Sequence, residues 1–190
     1  PGLGYYALFQ GDTTSATHAG LLYNHTNLGF GGGHTHVNAL NLDLWGGGVE
    51  LLPSTGYITG TSYADGSGSN LRYPTMKPLW KNMPWVWRED GANAVGTSDT
   101  TREWTKPALL AYDPGDANGK KVQLLEASDP GVAGKGADID RRLLIMVNLD
   151  GNRNYTFDLT RLKGGQAHEI YQRGAELEGM DVQTQDITMT

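Results

Sequence analysis

The stretch Ala39-Leu40-Asn41-Leu42-Asp43-Leu44-Trp45 alternates leucine with a polar residue. Successive side chains of a β-strand point to opposite faces, so the three leucines share one face and the asparagine and aspartate share the other. This pattern predicts a strand with one buried face. Gly46-Gly47-Gly48 follows and predicts a turn into residues 49–52, so that the two segments form a hairpin.

Similar strand patterns recur along the chain. Asn118-Gly119 is a strong hairpin signal between two of them, and Asp150-Gly151-Asn152 connects a nearly continuous apolar run to a segment that alternates. The predicted strands cover residues 39–45, 49–52, 108–113, 121–126, 141–149, 155–159 and 168–172.

The predicted fold class is all-β, an antiparallel β-sandwich with long irregular loops. No long window has the apolar spacing of an amphipathic helix. Residues 56–105 are rich in Gly, Ser, Asn, Pro and Trp and are interpreted as the loop region. No repeat or linker divides the chain, so residues 1–190 are interpreted as a single domain.

Composition excludes several classes of function. The chain has 27 glycines and no cysteine, which favours turns and rules out disulfides and thiolate sites. A net charge of −6 argues against nucleic-acid binding, and it also disfavours a polyanionic sugar gripped by this domain alone. No apolar run is long enough for a membrane span.

The chain opens at Pro1 with neither an initiator Met nor a signal peptide. We interpret it as a processed or excised piece of something longer. The alternative is a complete small protein whose leader has been removed.

His34 and His36 are the most informative residues for function. In a strand or its entry they point to the same side, close enough to share one metal ion or one substrate pocket. The glycines before them, at residues 29 and 31–33, allow a backbone or ligand to approach closely. Two exposed loop histidines are the simpler interpretation of the same residues.

An ordered series of segments resembles the heparinase II/III-like polysaccharide lyases, which include alginate lyases. That family carries H-x-H-x-D-x-L-N-L, a glycine-rich turn, and then L-L-P-D-x-G-Y. This chain has His34-Thr35-His36-Val37-Asn38-Ala39-Leu40-Asn41-Leu42, the glycine turn, and Leu51-Leu52-Pro53-Ser54-Thr55-Gly56-Tyr57. Residues 122–131, 139–142 and 162–169 are similar to later family segments, so the resemblance spans roughly residues 5–175.

The resemblance implies the C-terminal β-sandwich region of a lyase that cleaves uronate-containing polysaccharide, such as alginate or a glycosaminoglycan, by β-elimination. It implies that His34 faces the catalytic cleft. The family takes its base and acid largely from an (α/α) toroid domain, so we expect the isolated chain to be inactive. The implied partners are an acidic polysaccharide and the missing toroid domain or another subunit. The implied location is secreted or periplasmic.

Further candidate residues are Tyr73 and His168, either of which could contact substrate. The alternatives are a packing or turn tyrosine and an ordinary strand histidine. Arg141 and Arg142 are expected to cap a strand or to pair with a carboxylate.

The resemblance also implies that His36 is a ligand of a structural zinc, but the chain departs from the family there. The family's aspartate ligand is Ser54 in this sequence, and Asn38 replaces another aspartate. No histidine between His36 and His168 is present to complete the set. Because a structural zinc needs four good ligands, we expect no cofactor and a zinc site that is absent or weak.

Two other readings compete with the lyase. The cupin motif also begins with an H-x-H pair that follows glycine, but it requires a glutamate where this chain has Leu40 and Asn41. A non-catalytic carbohydrate-binding or structural sandwich is the second alternative, because tryptophan rings can stack on sugars. The tryptophans are Trp45, Trp80, Trp85, Trp87 and Trp104. They could equally fill a core or an interdomain contact.

Overall fold

The computed structural model describes residues 4–11, 16–24, 40–53, 81–87, 107–115, 121–130, 137–149 and 153–174. These residues form strands, turns and short connections. None of them belongs to a helix of the length and apolar character that a membrane span requires.

The first sheet contains the hairpin that the leucine alternation predicted. Its four antiparallel strands are in the order β1 (Gly4–Gln10), β2 (Thr17–Asn24), β3 (Asn41–Gly46) and β4 (Val49–Leu52). The turn between β3 and β4 holds Gly47 at φ 61° and Gly48 at φ 82°. Only glycine adopts such angles freely, which explains the glycine run at this point.

A second four-stranded antiparallel sheet is formed by the C-terminal half of the chain. Its order is β6 (Ala108–Asp113), β7 (Val122–Ser128), β8 (Ala137–Asn148) and β9 (Asn154–Gly164). All four strands were predicted, although β8 begins before the apolar run and β9 continues beyond the alternating segment.

A two-stranded sheet pairs β5 (Pro84–Trp87) with β10 (Ala167–Ile170). The last strand was predicted, but β5 lies within the region interpreted as irregular loops, so that part of the interpretation is wrong. β5 is short and begins with proline, which removes a ladder donor and weakens the strand signal. Trp85 is only 5% exposed and therefore fills the interior.

The core lies between the two four-stranded sheets, as expected for a sandwich. The side chains that meet there are small or aliphatic, and burying each leucine contributes roughly 1.5–3 kcal/mol. The buried cluster is Leu8, Ala19, Leu21, Leu40, Leu42, Leu125, Ala127, Leu144 and Met146. The all-β sandwich class is confirmed.

A reciprocal amide contact ties the edge of the first sheet to the second. The backbone nitrogen of Phe9 donates to Oε1 of Gln123 at 3.0 Å, and Nε2 of Gln123 donates back to the carbonyl of Phe9 at 2.6 Å. Gln123 is 3% exposed, so both polar ends of a buried amide are satisfied. The pair fixes the position of β1 over β7.

Among the described residues, Arg142 has the largest fully buried side chain, and it carries a charge. Its Nε and Nη2 donate to the two carboxylate oxygens of Asp158 at 2.8 and 2.5 Å. Its Nη1 donates to the carbonyls of Leu40 at 2.7 Å and Asn82 at 2.5 Å. The expected pairing of Arg142 with a carboxylate is thus confirmed. The guanidinium joins both large sheets to the connection that precedes β5.

Asp158→Ala should destabilise the protein by about 3–5 kcal/mol, because it leaves the buried Arg142 charge uncompensated. The measurement is the free energy of unfolding from urea denaturation. Asp138→Ala is the matched control, since it breaks an exposed Lys163–Asp138 pair at 3.5 Å and should cost less than about 1 kcal/mol. Equal losses in the two variants would contradict a central role for the Arg142–Asp158 pair.

Candidate functional site

Three of the four candidate site residues lie outside the described residues. These are His34, His36 and Tyr73. Ser54, at the altered zinc position, also lies outside the described residues. Their roles therefore stay predictions. The described residues do show how the chain is held where the H-x-H segment ends and where the segment at residues 51–57 begins.

Leu40 ends the connection that carries His34 and His36, and its backbone is unusual. Its φ is 57°, in the left-handed region that a side chain with a Cβ rarely adopts. Such a conformation costs on the order of 1–3 kcal/mol and persists only where its surroundings enforce it. Here the amide of Leu40 donates to the carbonyl of Leu22 at 2.7 Å, its carbonyl accepts from Arg142, and its side chain is fully buried.

Asn82 connects the two segments that carry the family resemblance. Its backbone amide donates to Oδ1 of Asn41 at 2.9 Å, and its carbonyl accepts from the amide of Leu42 at 2.8 Å. Its side-chain nitrogen donates to the carbonyls of Leu52 and Pro53 at 2.9 and 3.3 Å. One buried asparagine thus holds the start of β3 beside the end of β4. The H-x-H segment joins the described residues just before β3, and the segment with Ser54 begins just after β4, so both adjoin the residues that Asn82 contacts.

His168 is the one candidate site residue that the structure describes. It is exposed on β10, opposite Val86 of β5. Its Nε2 lies 2.7 Å from the carbonyl of Gly164, so a proton on Nε2 is donated to the turn that precedes β10. This contact orients the ring and leaves Nδ1 as the nitrogen that can meet a ligand.

A hydrogen-bonded chain that sequence reasoning missed lies on the outward face of the first sheet. The Tyr5 hydroxyl donates to Oδ2 of Asp43 at 3.0 Å and lies 2.5 Å from Nε2 of His18. Because the single hydroxyl proton goes to Asp43, Nε2 of His18 is the donor in the second contact. The indole nitrogen of Trp45 donates to the other oxygen of Asp43 at 2.9 Å. A side chain at Gly20 would overlap the Tyr5 hydroxyl, so glycine is required beneath this ring.

The ionisation of the hydrogen-bonded residues Tyr5, His18 and Asp43 does not suit them to proton abstraction. Burial, assisted by the charge and hydrogen bond of Asp43, raises the pKa of Tyr5 well above its usual value. Burial also lowers the pKa of His18, against an opposing effect of Asp43. Tyr5 is therefore held as a neutral hydroxyl, whereas a base for β-elimination must be deprotonated to act.

Two further buried ionisable groups lie near the Arg142 network. Burial, with the nearby Arg173 charge, lowers the pKa of Lys81 to about 8. Burial raises the pKa of Asp140 to about 8; the charge of Asp129 adds to this and that of Arg142 opposes it. Asp140 is 1% exposed, and its Oδ1 has no hydrogen-bond partner. The raised pKa therefore favours the protonated form of this aspartate at neutral pH.

Asp140 should make the protein less stable as the pH rises. Its pKa is about 4 in the unfolded chain and about 8 in the folded protein. The folded state therefore binds the extra proton, and the associated stability is lost between these two values. Asp140→Asn should remove this loss, so its free energy of unfolding relative to the natural chain should rise from pH 5 to pH 8. Urea denaturation at several pH values measures the difference. The exposed Asp138→Asn serves as the control variant, and a pH profile of Asp140→Asn no different from that of the natural chain would contradict the assignment.

The comparisons with known proteins give matches at the level of structure. No family model matches the chain, and no curated protein sequence does. A solved structure of heparinase III, the BT4657 gene product, superposes with a TM-score of 0.67 at 16% identity, covering 94% of this chain and 24% of that one. Heparan sulfate lyase HepC from Pedobacter heparinus superposes with a TM-score of 0.59 at 17% identity, covering 85% and 21%.

The chain thus spans about a quarter of the length of these structures. Identities of 16–17% support the fold and nothing finer. The resemblance that the ordered segments indicated is confirmed at that level: the chain has the fold of a region found in heparinase III and in the heparan sulfate lyase of Pedobacter heparinus.

Proposed function

We propose that the chain is the β-sandwich part of a polysaccharide lyase that cleaves a uronate-containing polysaccharide by β-elimination. The observation that carries the proposal is the likeness to heparinase III over 94% of the chain, in a sequence whose ordered segments resemble the same family. The lyase activity and the class of substrate are inferred from those structurally similar proteins, which are named as heparinase III and heparan sulfate lyase. A secreted or periplasmic location belongs to the same proposal.

The chemistry needs three contributions: neutralisation of the uronate carboxylate, a base for the C5 proton, and an acid for the leaving oxygen. We assign His34 to the catalytic cleft, with Tyr73 and His168 at the substrate. The segment that carries His34 joins the described residues at Leu40, whose amide, carbonyl and side chain all make contacts. A fixed junction of this kind supports the assignment of a cleft residue to that segment. The remaining acid or base would come from a helical toroid domain or another subunit.

A non-catalytic carbohydrate-binding or structural sandwich is the second candidate. Exposed apolar rings on β9 favour it, since Tyr155 is 59% and Phe157 is 53% exposed. A contiguous row of large exposed apolar groups is typical of a surface that binds a ligand or another protein. The two candidates differ in one outcome, the formation of an unsaturated uronate product.

The proposed lyase is tested by the ultraviolet absorbance of that product. We expect the isolated chain to give no product from alginate, heparan sulfate, hyaluronan or chondroitin. A longer protein that joins the chain to its helical domain should give product from at least one of them, and His34→Ala should abolish it. His25→Ala is the control, because it removes a histidine outside the H-x-H motif. Absence of product from both proteins on all four polymers would favour the binding or structural function.

Zinc should contribute little to stability, because Ser54 replaces the carboxylate ligand and the sequence has no histidine between His36 and His168 to complete the site. We expect a chelator to leave the unfolding temperature unchanged, and His36→Ala to respond identically. Thermal denaturation with and without chelator, together with metal analysis of the purified protein, measures this. A lower unfolding temperature in chelator, seen only while His36 is present, would show that His36 does bind a structural metal.

A further inference from the structure

The outward side of β9 carries an ordered row of cationic and apolar side chains. Alternate residues of this strand point away from the core, and all of the outward ones are exposed. In chain order they are Tyr155, Phe157, Leu159, Arg161 and Lys163, and the exposed Arg153 lies just before the strand begins. The neighbouring strand β8 adds Arg141, Leu143, Ile145 and Val147 to the same surface, which we call the β9 face.

Arg141 and Arg161 are directly opposite each other in the β8–β9 register. Directly opposed residues share one side of a sheet and have Cβ atoms about 5 Å apart. Both arginines are exposed, and no carboxylate of the described chain lies within salt-bridge distance of either. Like charges in this arrangement repel each other and destabilise the sheet. An anion between the two guanidinium groups would convert the repulsion into two charge-assisted hydrogen bonds.

The positive charge continues to Lys163, which faces the same side two residues beyond Arg161. Lys163 is 68% exposed and lies 3.5 Å from the exposed Asp138. Such an exposed pair contributes little and is readily exchanged for another anion. Three cations are therefore collected at one end of the adjacent strands β8 and β9, in a chain whose net charge is −6. The sign of the local charge is opposite to that of the whole chain.

The apolar part of the row continues from the cations along the strand. Leu159, Phe157 and Tyr155 are 51%, 53% and 59% exposed. The rings of Tyr155 and Phe157 have centroids 6.5 Å apart and are tilted by 43°. Outward residues of a strand recur about every 7 Å, so rings and cations form a linear series. Flat rings beside a row of charges suit a ligand with apolar sugar faces and regularly spaced anions.

We propose that the β9 face binds an acidic polysaccharide, with a carboxylate or sulfate held between Arg141 and Arg161. The next anion along the glycan pairs with Lys163, and sugar rings pack on Phe157 and Tyr155. The choice of a saccharide as the polyanion rests on the proposed function. The site itself lies on the outward side of the second sheet and requires no chemistry of His34.

Charge disfavours a second copy of the chain as the occupant. In a two-fold contact between two β9 faces, the axis runs along the strands or across them in the plane of contact. The first arrangement sets Arg161 against Arg161, and the second, when its axis passes at Phe157, sets Arg161 against Arg153. Cations meet cations in both, and like-charge contacts across an interface are costly.

The test is the affinity of the chain for labelled heparin and alginate oligosaccharides, measured by fluorescence anisotropy over a range of NaCl concentrations. Heparin carries sulfate and carboxylate groups whereas alginate carries carboxylate alone, so the pair identifies the anion. We expect salt-dependent binding to at least one of them, weakened about tenfold or more by Arg161→Ser. Arg153→Ser is the control: it removes the same charge roughly 27 Å along the strand and should weaken binding less than twofold.

Thermal unfolding supplies a second measurement that a misfolded variant would fail. Without ligand, Arg161→Ser should raise the unfolding temperature by about 1–3 °C, because the repulsion with Arg141 is removed. With ligand, the natural chain should gain more stability than the variant. A higher unfolding temperature together with weaker glycan binding in Arg161→Ser would distinguish a ligand site from a structural contact.

Four results would overturn the proposal. They are no binding to either glycan, equal weakening by Arg153→Ser, equally tight binding of a single-stranded oligonucleotide, and self-association that Phe157→Ser abolishes. The last result would identify the β9 face as a protein interface. His34→Ala should leave this binding unchanged. Intact binding by the chain, together with no lyase product from the longer protein that carries the helical domain, would therefore contradict the proposed function alone.

Discussion

The buried guanidinium of Arg142 is the interaction on which the rest of the arrangement depends. Moving a charged group out of water costs several kcal/mol, and this cost is offset only if its donors are satisfied. Four hydrogen bonds from Arg142 reach Asp158, Leu40 and Asn82. These partners come from β9, the start of β3 and the connection before β5. One charge therefore requires distant parts of the chain to be in place together, which makes the join between the sheets cooperative.

Adjacent arginines in β8 illustrate how far strand alternation determines environment. Arg142 points inward, is fully buried and pairs with Asp158, whereas Arg141 points outward, is exposed and has no carboxylate partner among the described residues. The two adjacent residues are both arginine, and the local sequence pattern alone does not predict which of the two is buried. The identity of Asp158, which is far away in sequence and close in register, decides it. Pairing with a carboxylate was expected of either arginine, and the structure shows it for Arg142.

Most strands of the fold were predictable because their apolar residues alternate or form a continuous run, as in β3, β8 and β9. β1 and β2 were not among the predicted strands, and in β2 the small residues Ala19 and Gly20 weaken the alternation that marks a strand. β5 was hidden by Pro84 and by its shortness. The three-sheet arrangement also required knowledge of which strands pair, and β10 pairs with β5 rather than with its neighbour in sequence. Register between distant strands leaves no local periodicity to detect.

The candidate site divides along similar lines. Motif spacing drew attention to His34, His36 and Ser54, and fold likeness supports the context in which those segments occur. Spacing could not reveal the Tyr5–His18–Asp43 chain, since its members come from three strands and meet only through register. Nor could it reveal the positive φ of Leu40, because a leucine in a strand pattern gives no sign of a left-handed backbone. The carboxyl of Asp140 was also missed, since its altered ionisation comes from burial and from Asp129.

The reciprocal contact between Gln123 and Phe9 has a mechanical consequence. Sandwich layers usually meet through side chains that slide over one another, because dispersion forces have little direction. Two short hydrogen bonds of opposite sense, in contrast, act like a rung of backbone ladder between the layers. Displacing β1 along β7 by a single residue would break both bonds at once and would expose a buried amide to an apolar surface. Under a force that slides one sheet over the other, the two sheets should therefore separate abruptly when this pair of hydrogen bonds breaks, with little gradual sliding beforehand.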